Sequence, residues 1–529
     1  MEMKLFWNGK VYTGDGLVQG FVVEGGRFIA TGSNEELLSA YPEAVKEDLK
    51  GRFVCAGFND SHMHLLNYGQ ALSVARLDAH TSSLKEMLGY IKEYAQENRN
   101  GWIIGRGWNQ DYFSDVNRTP DKTDLDPLFP DRPVILTRAC GHVCVVNSKV
   151  LEIANITRNT PSPEGGSIDF ETGILCDNAI DLAERYKPLP EKEEIKKMMM
   201  TASAELNRFG ITSSQSDDYG VFREIPFERI NEAYRELADE GKLTVRVNEQ
   251  VNFTTLEDLK DFIGKGNMTG TGNDMFRIGP LKMLGDGSLG GRTAHLSRPY
   301  ADDSSTCGFS LFSDEQFDQM IGYANKKGMQ VAVHAIGDAC LDKVLNAIEK
   351  ALTENPREDH RHGIVHCQIT RQDQLDRMAK LKLHIYAQSV FLDYDNHIVE
   401  QRAGKPLAST SYCWKTLMNK GLTVSNGSDA PVETPDVMKG IECAVTRTSL
   451  DGCGPYLPEE AFTVKEAIDS FTVKGASASF EEDRKGKILP GYLADFVILD
   501  QDPFLTEKRK LHEIGIDATY LNGKCVYKK

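Results

Sequence analysis

Short apolar runs that alternate with amphipathic stretches decide what this chain can become. The runs are FVCAGFNDSHMH (53–64), ITSSQSDD (211–218), TVRVNEQV (244–251), RIGPLKML (277–284), QVAVHAI (330–336), GIVHCQI (363–369), HIYAQSVFL (384–392) and TVSNGSDAP (423–431). Helical patterns lie between them, among them IKKMMMTASAELNRF (195–209), ERINEAYRELADE (228–240) and DEQFDQMIGYANKKG (314–328). Eight strands alternating with helices predict an α/β fold, a (β/α)8 barrel of the TIM type, although a doubly wound sheet shares the local pattern. A length of 529 residues accommodates one such barrel with an appendage, or three ordinary domains.

Two regions fall outside the alternation. The ends, KLFWNGKVYTGDGLVQGFVVEGGRFIATG (4–32) and ILPGYLADFVILDQDPF with IDATYLNGKCVY (488–527), are β-rich runs punctuated by Gly, Asn and Asp. Neither has enough apolar residues for a core of its own, so residues 1–52 and 482–529 are expected to pair as one composite β-sheet domain. The barrel then occupies 53–481, with 70–195 as a large insertion after its first strand. That insertion holds a helical stretch (84–98), IIGRGWNQDYF, a Pro- and Asp-rich segment (119–133) and VILTRACGHVCVVNS. A connection leaving the C-terminal end of a barrel strand opens on the catalytic face, where it can carry substrate contacts.

Composition narrows the partners. The net charge of −17 comes without a basic cluster, which disfavours nucleic acid or an anionic membrane. No apolar run approaches the ~20 residues of a membrane helix, and MEMKLFWNGKVYTGDG has no apolar core of a signal peptide. Eleven scattered cysteines without a CxxC pair suit a reducing cytoplasm. Cys140-Gly-His-Val-Cys144 lacks a second half at zinc-finger spacing and reads as buried or loop thiols.

The chemistry gathers at strand ends. In Asp60-Ser-His62-Met-His64 the two histidines share one face of a strand and can grip one cation. Alone the motif is weak, because such histidines commonly belong to packing or polar surface. Lys282, His334, His366 and Asp429 also stand at or near the C-terminal ends of their runs, where barrel enzymes place catalytic groups. Four histidines, a lysine and an aspartate at matched ends of five strands are hard to assign to packing, and they are the donor types of zinc and similar metals.

This pattern resembles the amidohydrolase superfamily, and more closely its YtcJ-like branch of metal-dependent hydrolases (amidohydrolase family 3). AGFNDSHMH, RACGHVCVVNSKVL, PLKMLGDGSLGGRTAHL, VAVHAIGD, HGIVHC, SNGSDAPV and the composite terminal sheet carry the resemblance over nearly the whole chain. It implies that His62 and His64 bind the more buried metal and His334 and His366 a second. Asp429 would ligate the first and shuttle protons, and Lys282 would bridge the pair as N6-carboxylysine. One or two divalent ions are implied, zinc foremost, with iron, manganese or nickel as alternatives. Ala56 departs from the proline many members have before the Gly-Phe, which touches loop geometry rather than chemistry.

Several motifs compete with this picture. Gly285-Asp-Gly287-Ser-Leu-Gly290 satisfies GxGxxG, but no pair of βαβ halves frames it, so it reads as a site loop. His360-Arg-His362 lies before its strand and reads as a solvated strand entry; His80, His295, His384, His397 and His512 have no positional support. Asp338 opens a helical pattern and reads as its N-cap, and Cys367 should face the helices. Trp108, Asp111, Tyr112 and His142 in the insertion, with Asp286, Arg292 and Thr293 after the lysine strand, are candidate substrate contacts, weighed evenly against loop packing. The expected activity is hydrolysis of a C–N bond, amide or N-acyl, in a small organic molecule by metal-activated hydroxide. Ester, carbamate or deaminase chemistry suits the same site. A non-catalytic binding or assembly relative should have lost donors, and none is missing. A phosphoester-cleaving barrel should show an Arg/Lys phosphate clamp, and none is obvious. The expected partner is the small-molecule substrate, with a homodimer left open.

Overall fold

The computed structural model describes residues 2–98, 101–138, 143–163, 166–177, 179–222 and 224–529. The chain divides into two compact units, one built from residues 1–68 and 195–529 and the other from 69–194.

In the first unit all eight runs are strands: β1 (Phe58–Met63), β2 (Ile211–Ser216), β3 (Arg246–Asn252), β4 (Phe276–Leu284), β5 (Val331–Ala335), β6 (Gly363–His366), β7 (His384–Ala387) and β8 (Val424–Asn426). They pair in sequence order, each parallel to the next. β8 returns to β1 through Asp429 N–H donating to His62 O (2.8 Å) and His64 N–H donating to Ala430 O (2.8 Å). The sheet is thus a nearly closed (β/α)8 barrel. Its strands alternate as a barrel requires. On β3, Val247 and Val251 join the large core shared with the surrounding helices, while Asn248, Gln250 and Asn252 point the other way. The helices fit because their apolar residues recur at helical spacing: Lys192–Arg208 buries Ile195, Met199, Ala202 and Leu206 on one face. Ser313 and Thr255 cap the helices that follow β4 and β3.

Both chain ends pair, as expected. A six-stranded sheet runs 524–528, 516–521, 496–499, 53–56, 10–12 and 17–18, and a four-stranded sheet from the N-terminal end alone lies beside it. The core between them is aromatic: Phe496 of the C-terminal end sits 5.0 Å from Phe6 and 4.9 Å from Phe21, centroid to centroid. One boundary needs correction. FVCAGFNDSHMH is two strands, because Phe53–Ala56 pairs with 496–499 in the terminal sheet and only Phe58 onward enters the barrel. Gly57 lies at the break, where a Cβ would fall 2.2 Å from Thr212 Oγ1. Arg246 fastens this sheet to the barrel through a buried bidentate pair with Asp495 (2.6 and 2.9 Å).

The second unit carries its own mixed sheet in the order 166–169, 174–177, 143–146, 134–138, 103–108, 75–76, with helix Leu84–Glu97 packed by Leu84, Met87 and Ile91. Its independent cores explain why this stretch broke the barrel repeat. Among the described residues, no helix is long and apolar enough to cross a membrane.

The Gly57 contact sets a first prediction. Gly57→Ala should cost about 1–3 kcal/mol, the usual penalty for overpacking, and chemical denaturation should recover most of it when Thr212→Gly is added. A Gly57→Ala protein of unchanged stability would show that the two strands separate freely at this point.

Candidate metal centre

The six strand-end residues lie together in the first unit. Donor atoms of His62, His366 and Asp429 all fall within 4.8 Å of one another, and all three residues are buried. His64 Nε2 lies 3.2 Å and His62 Nε2 3.3 Å from the same Asp429 Oδ1. The His334 ring stands 4.4 Å from that of His366, and its Nε2 is 3.0 Å from Gly287 O, on the loop after β4. Lys282 Nζ reaches Asp217 Oδ2 at 3.3 Å, deep in the barrel.

The backbone that aims these groups is unusual. His366 (φ 74°) and Asp429 (φ 60°) both occupy the left-handed region without being glycine. Such strain persists only where the surroundings over-determine it. For His366 they do: Trp414 Nε1 donates to its carbonyl (3.1 Å), Gln388 Oε1 meets its Nδ1 (2.8 Å), and Phe391 stacks on its ring at 5.8 Å. For His62 the partner is Gln250 Oε1 (2.7 Å), and for His64 the Asp217 carbonyl (2.9 Å).

Electrostatics prepare the cluster for a cation. Burial, and then the Lys282 charge, push the His62 imidazole down to about 4. Burial, and then His334 beside it, hold His366 well below the ordinary histidine range. Both rings therefore keep a free lone pair at neutral pH. Burial alone would raise Asp429, but the His62 and His64 imidazoles at hydrogen-bond distance hold it well below the usual carboxylate range. Burial opposes a charge on His64, yet the Asp429 hydrogen bond and the Asp217 charge outweigh it and lift that ring to about 9. Two neutral imidazoles and one carboxylate, converging and buried, are the donor set that zinc and similar divalent ions take. The residues present fit such an ion.

The second-tier candidates fare differently. Asp286 is fully buried; its carboxylate accepts from Ile336 N–H (3.0 Å), Gly337 N–H (2.8 Å) and His295 N–H (2.8 Å), so it anchors the β4 loop beside His334 instead of facing a substrate. Arg292 is paired with Asp302 (2.9 Å), and Thr293 Oγ1 accepts from Ser288 N–H (2.9 Å) within that loop. Trp108 is also fully buried and donates to Leu136 O (2.9 Å), a core residue of the second unit and not a docking surface. Asp111 is exposed and paired with Arg138 (3.0 Å); Tyr112 is exposed. His142 lies outside the described residues. His360 and His362 are buried, not solvated as expected, because His362 bonds Asn325 Oδ1 (3.0 Å) and accepts from Val331 N–H (3.1 Å). Asp338 is the first residue of helix Asp338–Glu354 and not its cap; it pairs with Arg371 (2.6 Å). Cys367 is buried against Met378, as expected.

Sequence reasoning missed Asp217, which joins His64 to Lys282, and the two glutamines. Asp217 had a readable signal, an acid just beyond the C-terminal end of β2. The glutamines had none.

Comparison with known proteins agrees with this geometry. A sequence profile of the amidohydrolase family matches residues 47–527, so the chain belongs to that family, a class of metal-dependent hydrolases. The Bacillus subtilis (strain 168) protein YtcJ is 37% identical, with 100% of each chain covered. The N-substituted formamide deformylase of Arthrobacter pascens is 25% identical over 97% of this chain and 95% of its own. The crystal structure of a metal-dependent hydrolase from Pyrococcus furiosus superimposes with a TM-score of 0.79 at 31% identity, covering 95% of this chain and 100% of that one.

The charge on His64 gives a second prediction. In the metal-free chain its proton adds stability that is complete below the ordinary value of 6.5 and lost as pH rises through about 9. A cation must displace that proton, so zinc affinity should climb about tenfold per pH unit towards that value, with one proton released per ion in unbuffered calorimetry. The double variant His62→Ala, His64→Ala should fold and lose the tighter ion. Affinity that is flat with pH, or full metal content in the double variant, would remove His64 from the donor set.

Proposed function

We propose that this protein hydrolyses an amide or N-acyl C–N bond of a small organic molecule, with zinc as the ion held by His62, His64, His366 and Asp429. The observation that carries the reading is Asp429 itself, ionised and within hydrogen-bond distance of two imidazoles inside a buried donor set. A divalent ion bound there supplies Lewis acidity, polarising a carbonyl and lowering the pKa of water. Asp429 takes one proton from the attacking water onto a carboxylate oxygen. Water oxygen bonds to the carbonyl carbon, the C–N bond breaks, and the nitrogen leaves with the proton that Asp429 returns. An amide anion is too basic to depart without it.

The relative named N-substituted formamide deformylase supports an N-acyl substrate. The barrel mouth supports an apolar substituent on it. Leu284, Phe309, Leu311, Tyr394 and Val432 are exposed on segments that end or follow β4, β7 and β8, Leu284 and Val432 within a few residues of Lys282 and Asp429. Half-buried Phe391 continues this surface inward to His366.

Lys282 is proposed to carry carbon dioxide when two ions are bound. Its ammonium is held by Asp217, and Asn252 Nδ2 donates to the same carboxylate oxygen (3.2 Å), so carboxylation must open that ion pair. Native mass spectrometry should show one added carbon dioxide on metal-loaded protein and none after chelation. An unmodified lysine on protein with two ions would end the bridging role.

Asp429→Asn should keep most of its metal and lose about 10²–10⁴ of turnover per bound ion, the usual worth of general acid–base assistance. The assay is a panel of N-acyl compounds with methyl to aryl substituents on metal-analysed protein. Wild-type turnover in the variant would place the proton shuttle elsewhere.

A further inference from the structure

Gln250 and Gln388 are fully buried, lie on different strands or strand ends, and each meets the Nδ1 of a donor histidine. Gln250 projects from β3 across the barrel to β1. Its Nε2 donates to Ser61 O (3.1 Å), which fixes which way the amide points. Oε1 must then face His62, and since an amide oxygen only accepts, the proton of His62 sits on Nδ1. The His62 Nε2 lone pair is left facing Asp429 Oδ1, 3.3 Å away. Two electron-rich atoms at that distance are held by a positive charge at the site, the His64 proton on the same Asp429 oxygen in the metal-free chain or a metal ion in its place.

Gln388, just past β7, presents its Oε1 to His366 Nδ1 at 2.8 Å. Its Nε2 has no protein partner despite complete burial. An unpaired buried donor is costly, and the contact of the Gln388 oxygen with His366 has to offset it. His64 receives the same treatment from a backbone carbonyl, that of Asp217.

We propose that Gln250 and Gln388 are positioning residues that set both the tautomer and the donor strength of His62 and His366 toward the bound ion. The second role follows from their neutrality. Outer partners of metal-bound histidines are commonly carboxylates or carbonyl groups, and a carboxylate makes the imidazole a stronger donor. An amide orients the ring without adding negative charge, leaving the ion more electron-poor. It also spares a pocket that already holds Asp60, Asp217, Asp286 and Asp429 from two further buried anions. The glutamines thereby exchange some metal affinity for Lewis acidity. The inference rests on the reading of these histidines as metal donors.

The test is zinc affinity by competition with a chromophoric chelator, with the visible spectrum of the cobalt(II) form as a second readout. Gln250→Leu and Gln388→Leu should each weaken zinc roughly 10–100-fold. Gln250→Glu and Gln388→Glu should bind zinc at least as tightly as the wild type and shift the cobalt bands. Circular dichroism and melting of the metal-free variants report folding; if a leucine variant fails to fold, the near-isosteric Gln250→Met and Gln388→Met replace it with the same expected loss. Leucine or methionine variants that bind zinc like the wild type would overturn the proposal. So would glutamate variants as weak as the leucine ones, since packing alone would then explain the residues. A wild-type chain that takes up no zinc or cobalt would instead remove the metal reading, a separate failure.

Discussion

The site depends on how the last barrel strand meets the first. β1 and β8 stand at the two ends of the hydrogen-bonded order, and the Asp60 carboxylate joins them by accepting from His62 N–H (3.2 Å), Ser428 N–H (3.1 Å) and Ser428 Oγ (2.5 Å). The approach is so close that a Cβ on Gly427 would fall 2.6 Å from His62 N. Burial pushes this carboxyl up to about 7 despite those donors, so the seam is held against a desolvation cost. With the seam in place, Asp429 has one arrangement open to it: its N–H bonds His62 O and its side chain turns back onto the histidines of β1.

Much of this was legible in the chain. The eight runs became eight strands because alternation and length are local properties that the barrel preserves. The candidate donor residues, which the fold does bring together, could be picked out because barrel chemistry collects at strand ends, so position carried more information than the HxH motif. What failed to show lies in pairings between distant segments. Nothing local tells that Phe53–Ala56 belongs to a different sheet from Phe58–Met63; the strand that takes Phe53–Ala56 is 496–499, far along the chain. Asp286 carried the same chemical signature as Asp217, yet Asp286 takes three backbone donors and stands 3.3 Å from His334 Nε2, while Asp217 faces Lys282. A glutamine on a strand looks like any other polar residue until its amide is seen against an imidazole.

The barrel also departs from an aliphatic interior. Gln215 Nε2 bonds Gly475 O (2.9 Å), Asn248 lies within 3.5 Å of Gln215, and Gln330 reaches Tyr386 (3.2 Å). Buried amides of this kind make many directional bonds, which fix strand register more sharply than methyl groups do. The candidate donors stand on such a floor.

The pairing of Val54 with Ile498 also has a consequence in time. At about 5–20 residues per second, roughly 20–90 s of synthesis separate the two strands on the ribosome. Through that interval the edge at Val54 has no partner, and contacts so far apart in the chain are slow to form once both halves exist. The metal donors share the delay, because His62 emerges early and Asp429 late. A chain truncated before Asp429 therefore cannot assemble the candidate cluster. Assembly of the candidate cluster thus marks synthesis that has passed Asp429, and a fragment stalled before it lacks one of the three converging donors.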